Sequence, residues 1–116
     1  MKHDFENFRH LRQQGNEKVL ETDSLTIKRI FSLDKQAYKE HTLPKGTKEL
    51  LGLVASLVLR CNDCIDYHLE QAVEQGFSKA QIDEAMGIAL LVGGTIVVPH
   101  LRHAAHSLEY LFSNNS

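Results

Sequence analysis

Cys61, Cys64 and His68 stand together in the run Cys-Asn-Asp-Cys-Ile-Asp-Tyr-His, and Glu49 lies twelve residues before the first of them. The chain has two cysteines, and both belong to this one C-x-x-C. Offsets of three and four bring side chains onto one face of a helix. At about 100° per residue, Cys64 and His68 fall within roughly 60° of Cys61. An imidazole beside two thiols that can close into a disulfide is the minimum equipment for thiol redox chemistry. Thiols attack as thiolates, and a helix N-terminus favours an anion through its unpaired N–H groups and its dipole. Cys61 falls where one predicted helix gives way to the next, so the pair is expected near such a terminus. His68 can take or return a proton, and Glu49 can orient the imidazole if its helix packs against that of His68.

The elements that must position these residues all read as helices. Only Pro44 and Pro99 interrupt the chain, and no period-two run of useful length is present. A first helix carries Phe5, Phe8 and Leu11 and is expected to stop or bend near Gly15. A second starts at about Ser24 or Thr26 and carries Ile27, Ile30, Phe31 and Tyr38. The loop His41–Gly46 separates this N-terminal arm, residues 1–43, from a core over 44–112 within one domain of 1–116.

The third helix, from about Thr47 to Arg60, is apolar nearly all round, which predicts burial. Leu50, Leu51, Val54, Leu57 and Val58 lie on one side, extended by Leu53, Ala55 and Leu59. Glu49, Gly52, Ser56 and Arg60 share the narrow face that remains. The fourth helix carries the cysteines and His68, with Ile65, Leu69 and Ala72 sharing or bordering their face, and ends at Gly76. The thiols and the imidazole are therefore expected to point to its interior side. Ser78 with Gln81 forms a capping box for the fifth helix, and Phe77 with Ile82 a hydrophobic staple. Gly93-Gly94 breaks that helix as a turn or a close helix–helix approach. Ile96–Val98 then open a last helix with Pro99 in its first turn, and Ser113–Ser116 is expected to fray.

A formal charge of -2 and a pI near 6.4 give no electrostatic reason to expect nucleic acid or an anionic membrane as partner. No secretory signal is visible, and the uncharged apolar stretch over residues 50–59 falls far short of the roughly 20 residues that span a bilayer. A cytoplasmic protein is expected, where a C-x-x-C is more often catalytic or metal-binding than a structural staple. Zinc is the rival chemistry: Cys61, Cys64 and His68 supply three ligands, and His100, His103 or His106 could add a fourth. Spacing by three drifts around a helix, so those three histidines read as polar-face, interface or satisfied core residues. His3, His10 and His41 read as surface residues.

Glu49, Cys61-Asn-Asp-Cys64 and His68, followed by the capped Gly76-Phe-Ser-Lys helix and Gly93-Gly94, resemble the carboxymuconolactone decarboxylase-like superfamily, and within it the alkylhydroperoxidase AhpD-like branch. The likeness covers about Thr47 to Leu111. It implies an all-α domain of about six helices, assembled as trimers or as hexamers built from dimers. It implies a thiol peroxidase that reduces hydroperoxides by cycling Cys61 and Cys64 between dithiol and disulfide, with Glu49 and His68 as proton relay. It also implies no bound cofactor, electrons coming from an external thiol or dithiol. Proximity to His68 favours Cys64 as the attacking thiolate and Cys61 as the resolving residue; thioredoxin-type logic gives the opposite order. Asp63 stands where peroxidases of this branch often have a histidine, and a neighbouring carboxylate disfavours a thiolate. The decarboxylase branch lacks the cysteine pair. General thiol–disulfide exchange, or a metal-binding or assembly module without catalysis, are the alternative functions.

Overall fold

The computed structural model describes residues 4–114. Six α-helices run in the order α1 (Phe5–Val19), α2 (Leu25–Ala37), α3 (Lys45–Leu59), α4 (Asn62–Glu74), α5 (Lys79–Gly93) and α6 (Val98–Asn114), with a 3-10 turn over Thr95–Val97 before α6. No strand occurs among the described residues. The fold is all-α, as the sequence predicts.

Helices α3 and α4 are the centre. Leu53 and Leu57 of α3, Ile65, Leu69 and Ala72 of α4, Ile82 and Ala89 of α5, and Ala104, Leu108 and Leu111 of α6 are buried together. The α3–α4 link is only two residues long. Arg60 ends α3 in the left-handed region (φ 62°, ψ 42°), and its N–H donates to Leu57 O while that of Cys61 reaches back to Ser56 O at 3.0 Å. Left-handed backbone costs a non-glycine residue about 1–2 kcal/mol, which the two closing hydrogen bonds offset. The turn reverses the chain: Gly52 faces His68, and Gly46, earlier in α3, faces Phe77, later than His68.

The burial of α3 corrects the sequence expectation. Its polar stripe, Glu49 and Ser56 with the half-buried Gly52, faces inward, whereas Leu51 and Ala55 are exposed and Leu59 is 76% exposed. Period alone cannot tell which side of a largely apolar helix meets its neighbours. On α5 the Ser78–Gln81 capping box is present. Gly93 ends α5, and a Cβ there would lie 2.5 Å from Val97 Cγ2, so the glycine permits the close return of the chain. Gly94 turns it at φ 83°.

α1 runs unbroken through Gly15 to Val19, contrary to the expected stop; one glycine costs a helix about 1 kcal/mol, and the Asp4 cap and tertiary anchors outweigh it. Phe5 stacks on Tyr110 with ring centroids 5.4 Å apart, and Arg9 pairs with Glu70. Capped by Ser24, α2 has no buried residue. Its last turn is fixed instead by Lys48, whose Nζ donates to the carbonyls of Ala37 and Lys39, each at 2.7 Å. α6 continues as helix to Asn114, so the expected fraying does not begin at Ser113; Asn115 and Ser116, like His3, lie outside the described residues.

Candidate active site

Cys61 is the N-cap of α4, in extended conformation, and its Sγ accepts from the N–H of Cys64 at 3.3 Å. Cys64 is the third residue of the helix. The two are joined as a disulfide, with Cα atoms 5.3 Å apart. In the dithiol form both sulfurs would sit at the positive end of α4, the location that favours a thiolate. Cys64 is exposed and Cys61 half-buried. The expected inward orientation therefore holds for His68, which is buried, and fails for Cys64.

One helical turn beyond Cys64, His68 meets Glu49. The Glu49 carboxylate is completely buried and accepts from His68 Nδ1 at 2.8 Å and from Lys45 Nζ at 2.6 Å. An unpaired buried carboxylate would cost several kcal/mol; here each oxygen has a partner. The same bond assigns the neutral imidazole's proton to Nδ1 and leaves Nε2 as acceptor. Nε2 lies 3.4 Å from the hydroxyl of Tyr38, at the C-cap of α2. Tyr67 packs edge-on against the His68 ring at 5.3 Å and carries the Arg12 guanidinium over its own face at 4.0 Å. Burial, reinforced by the Glu49 charge, pushes the phenols of Tyr38 and Tyr67 above their ordinary value, although Arg12 and Lys45 pull Tyr67 back in part.

A second polar cluster ties α4 to α6. Asp66 is buried and accepts from the Ser107 hydroxyl and, at 2.9 Å, from His103 Nε2. His100 Nδ1 is 2.8 Å from Asn62 Oδ1. Two histidines of the α6 triplet thus have partners on α4, and His106 is exposed. Among the described residues no group of three or more metal-ligating side chains is placed to hold an ion. Beside the cysteines, Asn62, Asp63 and His103 line a cleft of about 820 Å³ together with Phe8, Leu11 and Arg12 of α1. A smaller cavity of about 220 Å³ is lined by Tyr38, Lys45 and Tyr67 with Asp34, Lys35 and Lys39.

The model of the carboxymuconolactone decarboxylase family matches residues 26–107. The chain belongs to this family. The match spans α2 to the middle of α6, so it includes Tyr38, Glu49, both cysteines and His68. A carboxymuconolactone decarboxylase family protein of Thermotoga maritima, with a possible role in antioxidative response, is 51% identical; the alignment covers 92% of this chain and 91% of that one, with a TM-score of 0.88. A family protein of Legionella pneumophila, solved in its apo form, is 26% identical over 97% of both chains, with a TM-score of 0.76. An uncharacterized protein of Cupriavidus necator is 28% identical over 82 residues, 71% of this chain and 70% of its own. These likenesses agree with the AhpD-like resemblance.

Of the residues that the family motif singles out here, the structure brings Glu49 and His68 into direct contact and closes Cys61 on Cys64. No hydrogen bond joins either sulfur to His68 among the described residues, since the imidazole is held by Glu49 and Tyr38. Sequence reasoning missed Lys45, Tyr38 and Asp66. Lys45 was within reach, because it stands four residues before Glu49 in one helix. Asp66 and Tyr38 acquire their partners only through tertiary packing.

Proposed function

We propose that this protein is a thiol-dependent peroxidase that reduces hydroperoxides through Cys61 and Cys64, with Glu49 and His68 as proton relay. One observation carries the reading: a closed Cys-x-x-Cys at the start of α4 stands one turn from a buried Glu49–His68 pair. The possible antioxidative role of the Thermotoga maritima relative supports it.

The exposure of Cys64 favours it as the attacking residue, since a peroxide reaches it first. Its thiolate attacks the terminal oxygen of the hydroperoxide. An S–O bond forms, the O–O bond breaks, and the departing alkoxide takes a proton that His68 supplies, leaving as alcohol. Cys61 then attacks the sulfenic sulfur; the S–S bond forms and water leaves. Two electrons pass from the thiols to the peroxide. An external dithiol restores the pair by exchange at the exposed sulfur, so no resident metal, flavin or nicotinamide takes part. The apolar residues Phe8 and Leu11 in the cleft beside Asn62 and Asp63 suit the organic part of an alkyl hydroperoxide.

The protein works as a homo-oligomer in this reading. Leu59, Leu91, Val92 and Ile96 stand exposed along α3, α5 and the turn after it, Leu91 by 80%. An apolar surface of this kind on a small domain marks an interface. Serine variants test the reaction. Cys61→Ser and Cys64→Ser should each abolish multiple turnover with an organic hydroperoxide and a dithiol, while helical content is unchanged. Full peroxide consumption by the double variant would sink the proposal.

A further inference from the structure

His68 Nδ1 is committed to Glu49, so Nε2 is the one ring nitrogen left to move a proton, and the group it meets is Tyr38 rather than a sulfur. Three features hold the tyrosine there. Lys48 fastens the carbonyls on either side of it, Ala37 O and Lys39 O. The two rings pack at 5.3 Å with a 38° tilt. Above all, α3 has a glycine where the two groups converge: a Cβ on Gly52 would lie 2.6 Å from the Tyr38 oxygen and 2.7 Å from His68 Nε2. No other residue type leaves room for this hydroxyl and this nitrogen together. Gly52 is helical and has no unusual φ, so the space, not the backbone, is what requires glycine here.

We infer that Tyr38 is a positioning residue of the relay, holding Nε2 of His68 and linking the buried Glu49–His68 pair to the cavity lined by Tyr38, Lys45 and Tyr67. The inference rests on the relay assigned to His68 above. With a neutral imidazole, the Tyr38 O–H donates to Nε2. When the Tyr38 O–H turns toward the cavity, a thiol proton reaches the freed Nε2 lone pair across one helical turn, directly or through water, and Nε2–H then donates to the Tyr38 oxygen. The phenol's own proton then passes to water in the cavity as the Nε2 proton crosses to the phenol oxygen. The hydroxyl ends as it began, and one proton has moved from sulfur to solvent. A hydroxyl serves because it both donates and accepts, and a phenol whose ionisation is pushed up by burial stays neutral while it does so. The charged groups around the imidazole are Glu49 and Lys45 from α3, with the phenols of Tyr38 from α2 and Tyr67 from α4.

The test follows thiolate formation without a peroxide. The reduced full-length protein is mixed with an aromatic disulfide, and the exchange rate is measured across pH for wild type, Tyr38→Phe and Gly52→Ala. Tyr38→Phe keeps the ring and removes only the hydroxyl. Its rate should fall about tenfold near neutral pH, and the deficit should vanish above about pH 9, where a free thiol ionises unaided. Gly52→Ala, which drives the hydroxyl and the nitrogen apart, should show the same pH-dependent deficit. Equal rates for Tyr38→Phe and wild type at every pH, or a deficit of the same factor throughout, would overturn the inference, the second because a structural defect has no reason to fade as the thiol ionises. Peroxide reactivity of the wild type is measured separately. Thiols that ignore peroxide yet show the Tyr38-dependent profile would support this inference and defeat the peroxidase reading.

Discussion

Glu49→Gln is the perturbation that separates orientation of His68 from its proton chemistry. The side chain keeps its size, and the amide oxygen can still accept from His68 Nδ1, now at 2.8 Å from Glu49 Oε1. The other carboxylate oxygen, 2.6 Å from Lys45 Nζ, becomes an NH₂ that faces an ammonium. Breaking a buried ion pair by removing one partner costs about 3–5 kcal/mol when the surviving charge stays buried. Lys45 is 35% exposed and can swing into water, so most of that penalty is relieved. What remains is one lost charge-assisted hydrogen bond and a poorly satisfied amide, about 1–2 kcal/mol. For a domain of this size that lowers Tm by roughly 4–10 °C. Without the carboxylate the imidazolium loses its buried counter-charge, and thiol oxidation by peroxide should slow by about a hundredfold, the low end of general acid–base effects. Urea unfolding at fixed protein concentration gives the first quantity and single-turnover thiol loss the second. A stability change under about 0.5 kcal/mol together with an unchanged oxidation rate would refute the reasoning, because the buried carboxylate would then neither support the fold nor serve the relay.

Asp66→Asn should destabilise the protein by about 2–3 kcal/mol, since it disturbs the buried acceptor shared by Ser107 and His103. Thiol oxidation in the folded fraction should stay within about twofold of wild type, measured by stopped flow beside a melting curve. On the alkaline side, Tyr38 and Tyr67 hold their protons more tightly folded than unfolded. Above about pH 10 the unfolded chain therefore binds fewer protons than the native one, and stability falls as pH rises. Tyr38→Phe should flatten part of that fall in urea titrations at successive pH values. Leu59→Glu with Leu91→Glu should convert the proposed homo-oligomer to smaller species by analytical ultracentrifugation, because both side chains stand exposed in the single chain; an unchanged mass would refute an interface at these residues.

The sequence made the helices and the local chemistry legible for physical reasons that can be named. Ser78 and Gln81 act within one turn, so their capping box could be read directly and is present. Cys61 lies at a helix boundary because Arg60 and Cys61 form the whole link between α3 and α4. The contact of Glu49 with His68 was conditional on α3 meeting α4, and the reversal at Arg60 supplies that meeting. Which way α3 faces was not readable: with leucine or valine on every side, only packing decides that Glu49 and Ser56 turn inward while Leu51 and Leu59 turn out. Gly15 misled because helix-breaking is a local tendency of about 1 kcal/mol, and α1 is held by Phe5 on Tyr110 and Arg9 on Glu70. Tyr38 could not be placed at all, since thirty residues separate it from His68 and its position depends on a glycine in a third helix.

The most direct measurement of the central claim is a free-thiol titration with intact mass, taken on the reduced protein before and after one equivalent of an organic hydroperoxide. Rapid loss of both thiols and of two hydrogens' mass is expected, as Cys61 and Cys64 close the disulfide seen in the structure. Thiols that persist, or that oxidise no faster than free cysteine, would contradict it.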